Sequence, residues 1–108
     1  MPGKDGIYIE KSTRCVWVDG ILRPRKLSTS ECKLLLFLAS RNGEICSREE
    51  TVHAVYRCKY QPGIDNGRLD ALVEHARNKI ENNPRSPRFL LTVYRAGHQL
   101  MGYSGNAR

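Results

Sequence analysis

The chain has 108 residues and carries 18 Lys and Arg against 11 Asp and Glu, a net charge of +7. That length suits one domain able to bury a modest core without metal or disulfide support. No apolar run approaches the roughly 18 residues of a membrane span, and Met1-Pro-Gly-Lys-Asp-Gly6 lacks the apolar core of a signal peptide, so a cytoplasmic protein with no membrane partner is expected.

The positive balance favours a polyanionic partner, because phosphate contacts by Lys and Arg release condensed counterions. Residues 1–26 hold six basic and three acidic groups, 27–64 five and four, and 65–108 seven and four, so the excess avoids the middle of the chain. Cys15, Cys32, Cys46 and Cys58 stand 17, 14 and 12 residues apart, without a C-x-x-C pair or a histidine at ligand spacing. We therefore expect reduced, mostly buried thiols, no metal and no cofactor.

In chain order, Ile7–Thr13 and Cys15–Asp19 are rich in β-branched and aromatic residues and read as strands. Asp19-Gly20 between Val18 and Ile21 is a hairpin signal, because a type I′ turn needs positive φ at both positions. A third strand around Ile21–Lys26 carries Pro24 and is expected at an edge, which makes the first 26 residues an antiparallel sheet. Ser28, Thr29 or Ser30 then caps a first helix with apolar Cys32, Leu34, Leu35, Phe37 and Leu38, ended by Asn42-Gly43; by wheel position Leu36 is exposed. Ser47-Arg-Glu-Glu50 is a capping box, starting a second helix over about Arg48–Tyr56 that buries Val52 and Val55, with His53 on or near its core side.

Residues 57–66 contain Pro62-Gly63 and no period, and read as a loop. From Gly67 the helical period returns: Leu69, Leu72, Val73, Ala76 and Ile80 make one stripe over Arg68–Glu81. The opposite face carries Arg68, Ala71, Glu74, His75 and Asn78. Asn82-Asn-Pro84 stops the helix, and Phe89–Val93 with Gly97–Met101 read as two strands joined around Arg95-Ala96-Gly97. The order of sheet, three helices (28–81) and hairpin (89–101) is an α+β fold, a winged helix-turn-helix occupying residues 1–108 as one domain.

Four collinear stretches resemble the C-terminal effector domain of OmpR/PhoB-type response regulators: Leu27-Ser-Thr-Ser-Glu-Cys-Lys-Leu-Leu35, Gly43–Glu50, Leu69–Glu81 and Pro87–Leu100. The resemblance implies sequence-specific binding to double-stranded DNA within a two-component-like phosphorelay, with the third helix in the major groove and the hairpin wing at the minor groove. It also implies RNA polymerase as a partner through the 57–66 loop. Most members carry a receiver ahead of this module, so the chain is either a domain of a longer protein with a receiver or sensor, or a stand-alone relative.

Carried over residue by residue, the resemblance places His75 and Arg77 at the family's Arg-x-Arg base-reading pair, so only the second arginine is retained. Arg is a bidentate reader of guanine, whereas neutral His offers one donor and one acceptor. Asn78 joins them as a base-edge candidate, and Arg68 lies on the same helix face. Leu72 and Glu74 stand where relatives place phosphate-facing polar side chains; Glu74 is repelled by a phosphate or pairs with Asn78 or Arg77. Tyr56 replaces a tryptophan and offers its hydroxyl to a phosphate. Ser47 and Arg48 offer a helix N-terminus and a charge, and Thr92 stands at a phosphate-contacting position. Arg95 is displaced by one position in the wing, while Lys79 and Arg88 are candidate backbone neutralisers.

No phosphate loop, nucleophile elbow or carboxylate pair is present, and His53, His75 and His98 suggest no triad or metal cluster, so no enzymatic role is expected. The alternative to DNA binding is a degenerate winged helix that serves as a protein-interaction or regulatory module, favoured by Leu72, Glu74 and Leu36.

Overall fold

A computed structural model describes residues 5–104, so residues 1–4 of the expected N-terminal sheet region and residues 105–108 of the expected domain lie outside the described residues. Strands β1 (Ile7–Glu10), β2 (Cys15–Val18) and β3 (Ile21–Leu22) form an antiparallel sheet in that order. Its register sets Ile7 against Val18 and Ile9 against Val16, and all four side chains are buried. On the other face Tyr8 meets Trp17 edge to face, with ring centroids 5.4 Å apart. Asp19 (φ 52) and Gly20 (φ 83) supply the left-handed pair that the β2–β3 turn requires. β3 is an edge strand as expected, but it stops at Leu22, before Pro24, which has no N–H for a ladder.

Helix α1 (Thr29–Ser40) is capped by Ser28, whose hydroxyl accepts from the Glu31 N–H while the Glu31 carboxylate accepts from the Ser28 N–H. Cys32, Leu34, Leu35 and Leu38 are buried. Leu36 is half-buried and packs against the core, which corrects its expected exposure. Helix α2 (Arg48–Tyr56) starts at the Ser47/Glu50 capping box and ends at Arg57, a left-handed residue with φ 56. It buries Thr51, Val52 and Val55, while His53 faces solvent rather than the core.

Helix α3 runs from Pro62 to Ile80, so residues 62–66, expected as loop, are its first turns. A proline at the first helical position sacrifices no hydrogen bond and its ring presets φ. No side chain at Gln61 caps this end; instead the Asp65 carboxylate accepts from the Gln61 N–H at 2.7 Å and ties the turn shut. Leu69, Leu72, Val73, Ala76 and Ile80 enter the core, where α3 meets α1 and α2.

Strands β4 (Leu90–Val93) and β5 (Gly97–Leu100) form the wing, paired antiparallel. β5 is also bridged on its other side: Cys46 and His98 exchange both backbone hydrogen bonds, at 2.8 and 3.0 Å. A Cβ on Gly97 would lie 1.9 Å from the Cys46 carbonyl oxygen, so only glycine fits there. A parallel bridge between Ile7 and Tyr103 brings the end of the described chain back against β1. The expected architecture of sheet, three helices and hairpin is the one observed.

The junction between α3 and β4 is held by a buried carboxylate. Glu81, 2% exposed, accepts from the backbone N–H groups of Arg88, Phe89 and Leu90 at 2.8, 3.0 and 2.9 Å. Arg23 closes the same end of α3 from outside, donating to the carbonyls of Lys79 and Glu81 and to Asn82. Glu81→Ala leaves three buried or half-buried donors without an acceptor. At about 1–3 kcal/mol for each orphaned group, the variant is expected to lose at least about 3 kcal/mol of stability in urea unfolding. A loss below about 1 kcal/mol would show that the cradle does not hold the fold.

Candidate nucleic-acid interface

The outward face of α3 is uncovered: Asp70, Ala71, Glu74, His75 and Asn78 are all exposed. The N-terminus of α2 flanks it on one side and the wing on another, with a cleft of about 460 Å³ between them lined by Ser47, Arg48, Glu49, Tyr60 and Thr92–Gly97. In the first turn of α2 the amides of Arg48 and Glu49 have no acceptor within the helix, so this cleft opens onto backbone donors at the positive end of a helix dipole. The Glu49 side chain on the same turn opposes an incoming phosphate.

The tip of the wing is the tight turn 94–96. Arg95 sits there in a left-handed conformation (φ 61), exposed, with its guanidinium 5.2 Å from the Tyr94 ring centroid. Tyr94 is 81% exposed, a large aromatic that the sequence reading did not single out. Among the described residues Arg95 has no acidic partner, and the same holds for Arg25, Lys26, Arg57, Lys59 and Arg85.

Several expected contact residues are engaged inside the protein instead. Lys79 donates to Glu31 at 2.7 Å in a largely buried ion pair that ties α3 to α1, so it is not available as a phosphate neutraliser. Burial opposes the Glu31 charge, but Lys79 and the Ser28 amide more than offset it and hold that carboxyl below its usual range. Arg88 pairs with Asp19 at 2.9 Å and covers the Phe89 ring. Arg68 stacks over Tyr56 at 3.7 Å and bonds Asp65 at 2.7 Å and the Cys58 thiol at 3.5 Å, leaving Tyr56 half-buried beneath it. Arg48 reaches Asp70 on α3 at 2.7 Å.

Arg77, expected at a base edge, turns toward the wing. Its Nε donates to the Leu90 carbonyl at 2.9 Å and its Nη2 to the Thr92 hydroxyl at 2.7 Å. The short route to an unpaired strand carbonyl explains this direction, and Thr92, although exposed, carries that bond on its oxygen. Leu72, at a position where the resemblance places phosphate-facing side chains, is a core residue, as its place in the apolar stripe predicts. Glu74 pairs with neither Asn78 nor Arg77 and forms no ion pair among the described residues.

Beneath the interface lies a residue the sequence reading passed over. His98 is 1% exposed, between the Cys46 bridge and β4, and Arg48, Arg77 and Asp70 supply the nearby charges. Burial first, then Arg48 and Arg77, push its pKa down from 6.5 to about 4. Its Nδ1 and the Arg48 Nη1 are buried without a protein partner. All four cysteines are free thiols; Cys32 and Cys46 are buried, and burial raises their pKa, while Cys15 and Cys58 are only half-buried. No group of three His, Cys, Asp or Glu able to hold a metal occurs among the described residues, and none of their helices is long and apolar enough to cross a membrane.

The family model "Transcriptional regulatory protein, C terminal" matches residues 23–100. The DNA-binding dual master transcriptional regulator RpaA of Synechocystis is 39% identical over 75 residues, covering 69% of this chain and 30% of that protein. The alkaline phosphatase synthesis transcriptional regulatory protein PhoP of Bacillus subtilis is 32% identical over 75 residues, covering 69% and 30%. The chain thus spans about a third of the length of these curated relatives. Among solved structures, the RstA DNA-binding domain of Klebsiella pneumoniae, in complex with the RstA box, superposes with a TM-score of 0.74 at 24% identity, over 92% of this chain and 94% of that one. That likeness establishes the fold.

Above pH 6.5 His98 is neutral folded or unfolded; as the pH falls, the unfolded chain takes a proton that the folded chain refuses until about pH 4. Stability should therefore drop by about 2 kcal/mol between pH 7 and 5, and urea unfolding of His98→Leu should show a much shallower drop in that window. Arg77→Ala removes two hydrogen bonds to the wing, at a cost of about 1–2 kcal/mol of stability. It should weaken binding to all duplexes alike; a loss of preference at a single base pair with stability unchanged would restore Arg77 to the base edge.

Proposed function

This chain belongs to the transcriptional regulatory protein C-terminal family, and from that membership we propose that it binds double-stranded DNA sequence-specifically as the effector module of a transcription regulator. The observation that carries this reading is the uncovered 70–78 face of α3, standing between a helix N-terminus with open amides and a wing tip that presents Arg95. A helix of this width fits the major groove, and the two flanks meet the phosphates that border it.

In this reading Ser47 and Arg48 position a phosphate at the α2 N-terminus, and Arg95 with Tyr94 enters the minor groove. His75 and Asn78 face base edges. Arg77, through Leu90 and Thr92, sets the angle between α3 and the wing. The 57–61 segment, through its exposed Arg57 and Lys59, faces RNA polymerase. A receiver or sensor domain of a longer chain governs the module, which works in the cytoplasm and catalyses no reaction.

A second reading has one specific observation in its favour: Glu49, Asp70 and Glu74 are exposed on or beside the same face, and they oppose a polyanion. In that case the fold serves as a protein-interaction module. Anisotropy titrations of a labelled duplex from 50 to 300 mM salt separate the two. DNA binding predicts log K falling against log salt with a slope steeper than about −2, equivalent to two or more phosphates. A slope near zero, or no binding at the lowest salt, would favour the protein-interaction module.

A further inference from the structure

Glu74 and Arg77 lie one helical turn apart on α3, and the fold sends them in different directions. Arg77 is drawn to β4 by the Leu90 carbonyl and the Thr92 hydroxyl. Had it stayed on the helix surface, it would have met Glu74 at the i, i+3 spacing and masked the charge. Of the other exposed residues one turn away, Ala71 and Asn78 carry no charge and Asp70 is an acid bonded to Arg48, and no cation among the described residues pairs with Glu74. The centre of the outward face of α3 therefore presents an unpaired group with acceptors only.

Such a group is repelled by every phosphate, but not by every base edge. In the major groove, guanine offers two acceptors, thymine one acceptor and a methyl, and adenine an N6 donor beside the N7 acceptor. Cytosine alone offers its N4 amino donor without an adjacent acceptor on the same base. Because the α2 N-terminus and the wing tip flank the face, the middle of α3 meets bases rather than backbone. We propose that Glu74 is a specificity-determining residue that accepts a hydrogen bond from the N4 amino group of a cytosine in the major groove. The inference rests on the DNA-binding reading above and adds a base to it. The carboxylate also weakens binding to sequences that lack the cytosine, where its repulsion by the duplex is uncompensated.

The test is selection from a random duplex pool with the wild-type chain, Glu74→Ala and Glu74→Arg, followed by titrations on the enriched site and on unrelated duplex at fixed salt. Glu74 is exposed, so both variants retain the fold. The wild type is expected to enrich a motif with one cytosine preferred roughly 5- to 150-fold, the range for a good base contact. Glu74→Ala should lose that preference alone and bind unrelated duplex more tightly, and Glu74→Arg should favour guanine at the same position. A wild-type motif that Glu74→Ala leaves unchanged overturns the proposal while the DNA-binding reading stands. If the wild type enriches no motif at all, both fall.

Discussion

The arrangement of the side formed by α3 and the wing depends on one buried carboxylate. Glu81 closes α3 and at the same time gathers the amides of residues 88–90, so the end of the helix and the start of the wing share a single anchor. A negative charge at the C-terminal end of a helix is disfavoured by the dipole. The three N–H donors offset this, and Arg23 adds a cation over the last carbonyls from the N-terminal region of the chain. The small sheet thereby contributes to the interface without touching it. Its connection to α1 braces the end of α3, and α3 in turn fixes the wing through Glu81 and Arg77.

The net +7 points to a polyanion, but much of the basic inventory is engaged in joining elements to one another. Lys79 joins α3 to α1, Arg48 joins α2 to α3, Arg88 joins the approach to β4 to the β2–β3 turn, and Arg68 covers Tyr56. What faces outward on α3 over 70–78 carries no Lys or Arg: Asp70, bonded to Arg48, and the unpaired Glu74 stand beside Ala71, His75 and Asn78. A domain built this way gains less from indiscriminate phosphate attraction, and its choice of partner rests more on the few groups that point outward.

Legibility in the sequence tracked the range of the interaction. The limits of α2 were readable because Ser47 and Glu50 form a box within four residues, and the Asp19-Gly20 turn because its backbone needs are local. The start of α3 was not: Pro62-Gly63 has the composition of a turn, and only the buried Asp65, folded back on Gln61, makes it a helix end. Ser28 and Glu31 form a box as plain as the second one, which would have settled the cap of α1. The direction of Arg77 depends on a strand 13 residues later, and the partner of Lys79 lies 48 residues earlier, beyond any periodicity. His98 gave no signal, because its burial follows from a bridge to Cys46 that neither segment announces.

The return of the chain onto β1 bears on the order in which the protein folds. Ile7, wholly buried, receives its outer backbone partners from Gly102 and Ser104, almost a hundred residues later. Contacts of such sequence separation carry a large loop-closure entropy and form late unless the intervening chain has already collapsed. During synthesis the helices can condense as they emerge, but the first strand waits with an open edge until residues 102–104 have cleared the ribosome. The domain thus completes itself only once the segment after the wing is in place, and a nascent chain stalled within the wing exposes that edge to whatever other strands are near.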